Sequence, residues 1–175
     1  MKKIILIFLF MAFGLSTVRA QDSTSIMTSW MQTGIGPGFT QDIENAASGF
    51  LGFQIQYDQH LFSFRSAFTG SIIGSNYFDI GILYGQVLTP LDSRFFGSMS
   101  LGAGLTSISG SNLCIFGCGA SDSSTSLALA VPVQASVQYR VFKFLGVGIT
   151  GIGTFSKEYN YSGLMFSIHL GRFRD

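Results

Sequence analysis

From residue 31 onwards the chain alternates bulky apolar residues with small or polar ones. Leu51, Phe53, Ile55 and Tyr57 alternate with Gly52, Gln54, Gln56 and Asp58, and Phe78, Ile80, Ile82 and Tyr84 with Asp79, Gly81, Leu83 and Gly85. A period of two is that of a β-strand with two unlike faces. The pattern predicts strands over 30–39, 49–58, 61–70, 77–88, 94–106, 126–140, 144–155 and 162–173. Their connections alternate in character. Residues 59–60, 89–93 and 141–143 read as tight turns, whereas 40–48, 71–76, 107–125 and 156–161 read as longer loops rich in Ser, Asn and Gly.

Alternation alone suits a soluble barrel as well as a membrane one, because only the solvent is inverted between them. The polar phase separates the two. It consists of Gly102, Gly104 and Thr106, of Ala128, Ala130, Gln134, Ser136 and Gln138, and of Gly146, Gly148, Thr150 and Thr154. Such residues fit a crowded lumen and not a surface facing water. Charged residues make up 11% of the chain, against about 25% in soluble domains, and most sit at or beside the predicted turns and loops. Strands of this length match the ~9–11 tilted residues that cross a bilayer. An even strand number with short turns at one end and long loops at the other is the layout of an outer-membrane barrel. The expected fold is therefore all-β, an eight-stranded antiparallel up-and-down transmembrane β-barrel.

The N-terminus supplies the address. Lys2 and Lys3, the apolar run Ile4 to Leu15, and the small-residue site Val18-Arg19-Ala20 have the form of a secretory signal peptide. The expected organisation is a cleaved signal over 1–20 and a barrel domain over 21–175. Export would place the barrel in the outer membrane of a Gram-negative-type cell, with both termini on the periplasmic side. Removing the signal leaves seven basic against nine acidic residues, a balance that argues against nucleic acid as a partner. Aromatic residues gather near the strand ends as interfacial girdles would: Trp30, Tyr57, Phe62, Phe95, Tyr139, Phe142, Phe144 and Phe173 at the short-turn end, and Phe39, Phe68, Tyr77, Phe78, Phe155, Tyr159 and Tyr161 at the loop end. Pro37 and Pro132 fall inside predicted strands, where each removes a ladder hydrogen bond and predicts a bulge or weak pairing.

In this pattern the mature chain resembles the small eight-stranded outer-membrane β-barrel proteins of the OmpA-transmembrane and OmpX-like kind. The last strand carries the run Leu164, Phe166, Ile168 and Leu170, with Phe173 near its end. The resemblance implies outer-membrane lipid as surroundings and the barrel-assembly machinery as a partner during biogenesis.

Few residues suggest chemistry. Arg65 and Asp79 fall in the polar phase on consecutive strands, at similar distances from the 71–76 loop. They predict a lumen ion pair that plugs the barrel, with an ion gate as the sharper reading. Gln54, Gln56, Gln134, Gln138 and His169 would extend the same network. An enzyme of the lipid-modifying sort needs a His, a Ser and an acid together at the outer rim. His60 lies in a short turn and His169 near the middle of the last strand, so no catalytic residue is assigned. Cys114 and Cys118, spaced C-x3-C in the longest loop, are expected to form a disulfide after export. That ring would present Ile115 and Phe116 as a loop contact site. Two thiols without a nearby His are too few for zinc, and no metal or other cofactor is expected. Gly34, Gly36 and Gly38 resemble a phosphate loop only superficially and read as inward strand glycines. The functional expectation is a structural or surface-interaction role: membrane integrity, adhesion or binding of a partner through the loops. The alternatives are a narrow solute pore and a secreted soluble barrel that binds a small apolar ligand.

Overall fold

The computed structural model describes residues 27–40, 46–70, 76–88, 93–109 and 126–172. They form eight strands: β1 (Met27–Thr40), β2 (Ala46–Tyr57), β3 (His60–Gly70), β4 (Asn76–Val87), β5 (Phe95–Ser109), β6 (Ser126–Phe142), β7 (Leu145–Ser156) and β8 (Asn160–Arg172). Each pairs antiparallel with the next, and β1 also pairs with β8, closing the barrel. The strands agree with those expected from the alternation to within three residues at nearly every end.

Closure fixes the geometry of the lumen. Passing from strand to strand through the register partners Thr28, Gln56, Leu61, Gly85, Ser100, Gln134, Ile152 and Gly163 returns to β1 at Gly38, ten residues beyond the start. With strands about 4.8 Å apart and about 3.3 Å per residue, that stagger corresponds to a tilt of roughly 40° and a backbone radius of about 8 Å. Strands of 12 residues then rise about 30 Å along the axis, the thickness of a bilayer's hydrocarbon core.

The two phases face opposite ways. One row of register partners, Met31, Phe53, Phe64, Ile82 and Ala103, runs across five strands on the outside, and Ile82 is 70% exposed. The opposite phase puts Gln, Ser, Thr, Arg65 and Asp79 inside. Among the described strand residues the charges are Arg65, Asp79, Arg140 and Arg172: the first two are buried, and the others lie near the turn ends of β6 and β8. A charge on the outer wall at mid-height would cost ~2–4 kcal/mol in lipid. The arrangement is that of a transmembrane barrel. A soluble ligand-binding barrel would reverse it, with the apolar phase lining the lumen and the polar phase facing water.

The close spacing shows at Gly102. A Cβ there would stand 1.9 Å from the carbonyl oxygen of Ile82 on the neighbouring strand, so only a glycine lets β4 and β5 approach. The two prolines interrupt pairing without a bulge. The β1–β8 ladder skips Gly36 and Pro37, the β5–β6 ladder skips Pro132 and its neighbour Val131, and both resume in the same register. The register shift that does occur lies elsewhere, between Arg140 and Phe142.

Three expectations need correction. Trp30, Tyr77 and Tyr161 sit near strand ends but point inwards, at 1%, 2% and 3% exposure. Nearness to a rim does not decide which face a residue takes; phase does, and each shares its phase with lumen residues on its own strand (Gln32, Asp79 and Met165). The 156–161 connection is also tighter than expected, with β8 starting at Asn160. The Ser156 hydroxyl closes this turn, donating to the Tyr159 carbonyl at 2.7 Å and accepting from the Tyr159 amide at 2.7 Å. Finally, the β6–β7 turn is displaced towards Lys143 and Phe144 because β6 continues through the bulge to Phe142.

Candidate functional site

The lumen is a stack of three levels. At the turn end Trp30 meets Phe96 edge-on, ring centroids 5.5 Å apart, and Leu61 and Val87 near the same ends of β3 and β4 are also buried. Above them lies a level of Gln, Ser, Thr and His side chains. Towards the loops lies a cluster built on Arg65 and Asp79, flanked by the apolar group Phe50, Ala67, Tyr77, Ile152, Tyr161 and Met165.

Local sequence explains how an arginine fits inside so narrow a barrel. Its register partners on β2 and β4 are Gly52 and Gly81, so no side chain occupies the wall on either side. The guanidinium crosses the lumen. Nη1 donates to the Val133 carbonyl on β6 at 2.8 Å. Nη2 donates to Asp79 Oδ2 at 2.8 Å, to Thr154 Oγ1 at 2.9 Å and weakly to the Gly153 carbonyl at 3.4 Å. Asp79 Oδ2 also accepts from the Tyr161 hydroxyl at 2.5 Å and from the Thr154 hydroxyl. Arg65 and Asp79 are 0% and 1% exposed. One ion pair therefore joins side chains or backbone from β3, β4, β6, β7 and β8. Asp79 Oδ1 and Arg65 Nε are the two atoms of the pair without a protein partner. A buried pair so surrounded holds its geometry, and removing one member strands a charge in the barrel interior.

The remaining expected residues are buried but lie apart from this cluster. Gln56 accepts from Thr28 at 3.4 Å and donates to the Asp58 carbonyl at 2.6 Å. His169 Nε2 is 3.0 Å from Ser167 Oγ, which accepts from Thr150 at 2.9 Å. Gln54 Nε2, both amide atoms of Gln134, and Gln138 Oε1 have no protein partner, and neither have both amide atoms of Gln32 nor Ser63 Oγ. Cys114, Ile115, Phe116 and Cys118 lie outside the described residues.

Sequence reading did not identify Thr154, Tyr161 and the Val133 carbonyl as partners of the ion pair. They lie 68 to 89 residues from Arg65 or Asp79. The signal for Tyr161 was its phase, since Leu164, Phe166, Ile168 and Leu170 face outwards on the same strand. The contact of Ser167 with His169 is not a hydrolytic centre as it stands. Both residues are 0% exposed, and His169 Nδ1 has no carboxylate to orient the ring.

No protein-family profile matches the sequence, and no curated protein matches it. Several solved structures share its architecture. Neisserial surface protein A (NspA) superposes with a TM-score of 0.63 at 10% identity, over 85% of this chain and 99% of that one. Ail, the attachment invasion locus protein of Yersinia pestis, superposes with a TM-score of 0.58 at 13% identity, over 83% and 98%. Ail in complex with the heparin analogue sucrose octasulfate gives 0.59 at 14%, over 84% and 99%. The N-terminal β-barrel domain of Pseudomonas aeruginosa OprF gives 0.53 at 10%, over 82% and 96%. At these identities the likeness is one of fold. The fold is that of the small eight-stranded outer-membrane barrels.

Proposed function

We propose that this outer-membrane barrel serves as a closed scaffold, structural or interactive in role, whose specificity lies in its loops and not in its lumen. The observation that carries the reading is the Arg65 brace, which crosses the loop side of the lumen and contacts the far wall. A solute path would have to displace both the brace and the Trp30–Phe96 contact. On this reading residues 1–20 are removed on export and the short turns face the periplasm. Folding then proceeds through the barrel-assembly machinery, and the Cys114–Cys118 ring, with Ile115 and Phe116, contacts a surface partner.

Loop charge narrows the chemistry of that partner. The loop-end connections carry Asp42, Glu44, Asp122 and Glu158 against Lys157 alone. Ail was solved with a polyanionic heparin analogue, but an acidic surface repels such a ligand. The reading favours a neutral, apolar or cationic partner, and we assign no catalytic activity.

Two measurements test the proposal. In planar bilayers the purified barrel is expected to show no steady single-channel conductance; open channels in the wild type would refute a closed scaffold. Intact cells displaying the barrel are expected to bind a labelled sulfated polysaccharide no better than cells lacking it, and specific binding would overturn the assignment of partner chemistry.

A further inference from the structure

The wall of the barrel is not level at its loop end. β5 and β6 run for 15 and 17 residues, against 12 for β4 and β7 beside them. β4 keeps pace with β5 as far as the Asn76–Ser109 pair, but β7 stops opposite Ala130, where Ser156 is the last partner. Residues 126–129 of β6 therefore pair with β5 alone. Successive residues of an antiparallel strand turn their N–H and C=O to opposite neighbours. The Arg140 amide donates to the Arg94 carbonyl, on the β5 side, at 2.9 Å, so the even-numbered residues of β6 face β5 and the odd-numbered ones face β7. Pro132 agrees, interrupting the β5 ladder while keeping its β7 partner Thr154. The N–H and C=O groups of Leu127 and Leu129 thus point past the end of β7, and among the described residues no backbone hydrogen bond takes them up. Their side chains are 66% and 81% exposed, and no other large apolar residue described is as exposed as Leu129. Both lie nearer the loops than Val131, whose β7 partner is the outward aromatic Phe155.

We propose that the free edge of β6 at Leu127 and Leu129 takes up an extended, basic peptide segment as an added strand. The inference rests on the reading above that a partner binds at the loop end, and gives that partner a place and a chemistry. An unpaired edge is a template for another strand. Main-chain groups fix the added segment, and its apolar side chains cover the two leucines. Position and charge select the occupant. The edge lies beyond the aromatic girdle that marks the headgroup level, and a lipid tail cannot bond the amides and carbonyls of a strand edge. A second copy would bring the same acidic excess, Asp42, Glu44, Asp122 and Glu158 against Lys157, and be repelled. A segment alternating basic and apolar residues satisfies the backbone, the leucines and the acids together.

The test places the full barrel in phosphatidylcholine nanodiscs and follows, by fluorescence anisotropy, a labelled heptapeptide of alternating lysine and valine. A glutamate–valine peptide of the same pattern is the comparison. The lysine peptide is expected to bind about tenfold or more tightly than the glutamate one, and to slow hydrogen exchange at the Leu127 and Leu129 amides. Methylating alternate peptide nitrogens in one phase should abolish binding, and in the other phase leave it intact, because an added strand bonds through one of its edges. In the barrel, Leu129→Pro removes an N–H on the free side only and should weaken binding by about tenfold, with heat-modifiable gel mobility certifying that the variant is folded. Binding of neither peptide, unchanged exchange at both leucine amides, equal tolerance of methylation in the two phases, or full binding by folded Leu129→Pro would overturn the edge site. Tighter binding of the glutamate peptide, with the same two amides slowed, would instead overturn the cationic partner chemistry and leave the edge.

Discussion

On the loop side of the lumen, Asp79 Oδ2 alone collects donors from Arg65, Thr154 and Tyr161, each on a different strand. On the turn side, both amide atoms of Gln32 and of Gln134 are equally buried and find no protein partner. The two levels share a wall, a radius and a polar character, and differ in how the polarity is joined. The first level links distant strands through a charge that cannot be left alone. The second fills space with neutral amides joined by a few short pairs, such as Ser98 with Ser136 at 2.8 Å. In a barrel of fixed circumference, burial of polar groups alone does not make a brace; convergence on a charge does.

The largest expected effects come from breaking the brace on one side. Arg65→Ala or Asp79→Ala leaves an uncompensated charge in the lumen and is expected to destabilise the folded barrel by about 3–5 kcal/mol, read as a shift in the urea midpoint of vesicle-inserted protein. A smaller loss follows from trimming one donor. Tyr161→Phe removes the 2.5 Å hydroxyl bond to Asp79 and should cost about 1.5–3 kcal/mol, the range for a hydrogen bond to a charged group. On the turn side the sign should change. Gln134→Met replaces an amide with no protein partner by an apolar chain of similar length and should be neutral or stabilising by up to about 1 kcal/mol; a loss as large as that from Tyr161→Phe would erase the distinction between the two levels. The smallest effect lies outside both. Asp58 holds φ at 53° in the two-residue β2–β3 turn, and Asp58→Gly should be stabilising by a few tenths of a kcal/mol to about 1 kcal/mol.

How much of this was legible in the sequence follows from the distance over which each feature is encoded. Strand positions and facing are local, and the period of two gave both. The partnership of Arg65 with Asp79 was legible because a single connection joins their strands and both charges fall in the inward phase. The other partners were not. Thr154, Tyr161 and the Val133 carbonyl meet the pair only because the closed sheet is staggered by ten residues, and no local period encodes that stagger. The glycines beside Arg65 show the same limit. Gly52 and Gly81 read as ordinary small lumen residues until the register places both directly against the arginine. Trp30, Tyr77 and Tyr161 differ for another reason: in each, nearness to the rim points to an outer girdle while phase points inwards, and phase decides the face.

The Arg65–Asp79 pair is the brace on the loop side of the lumen. A double-mutant cycle with Arg65→Met, Asp79→Leu and both together, measured by equilibrium unfolding in vesicles, tests it most directly. The double variant is expected to be more stable than either single variant, because removing both charges leaves neither stranded. Single losses that are small, or that simply add in the double variant, would contradict it.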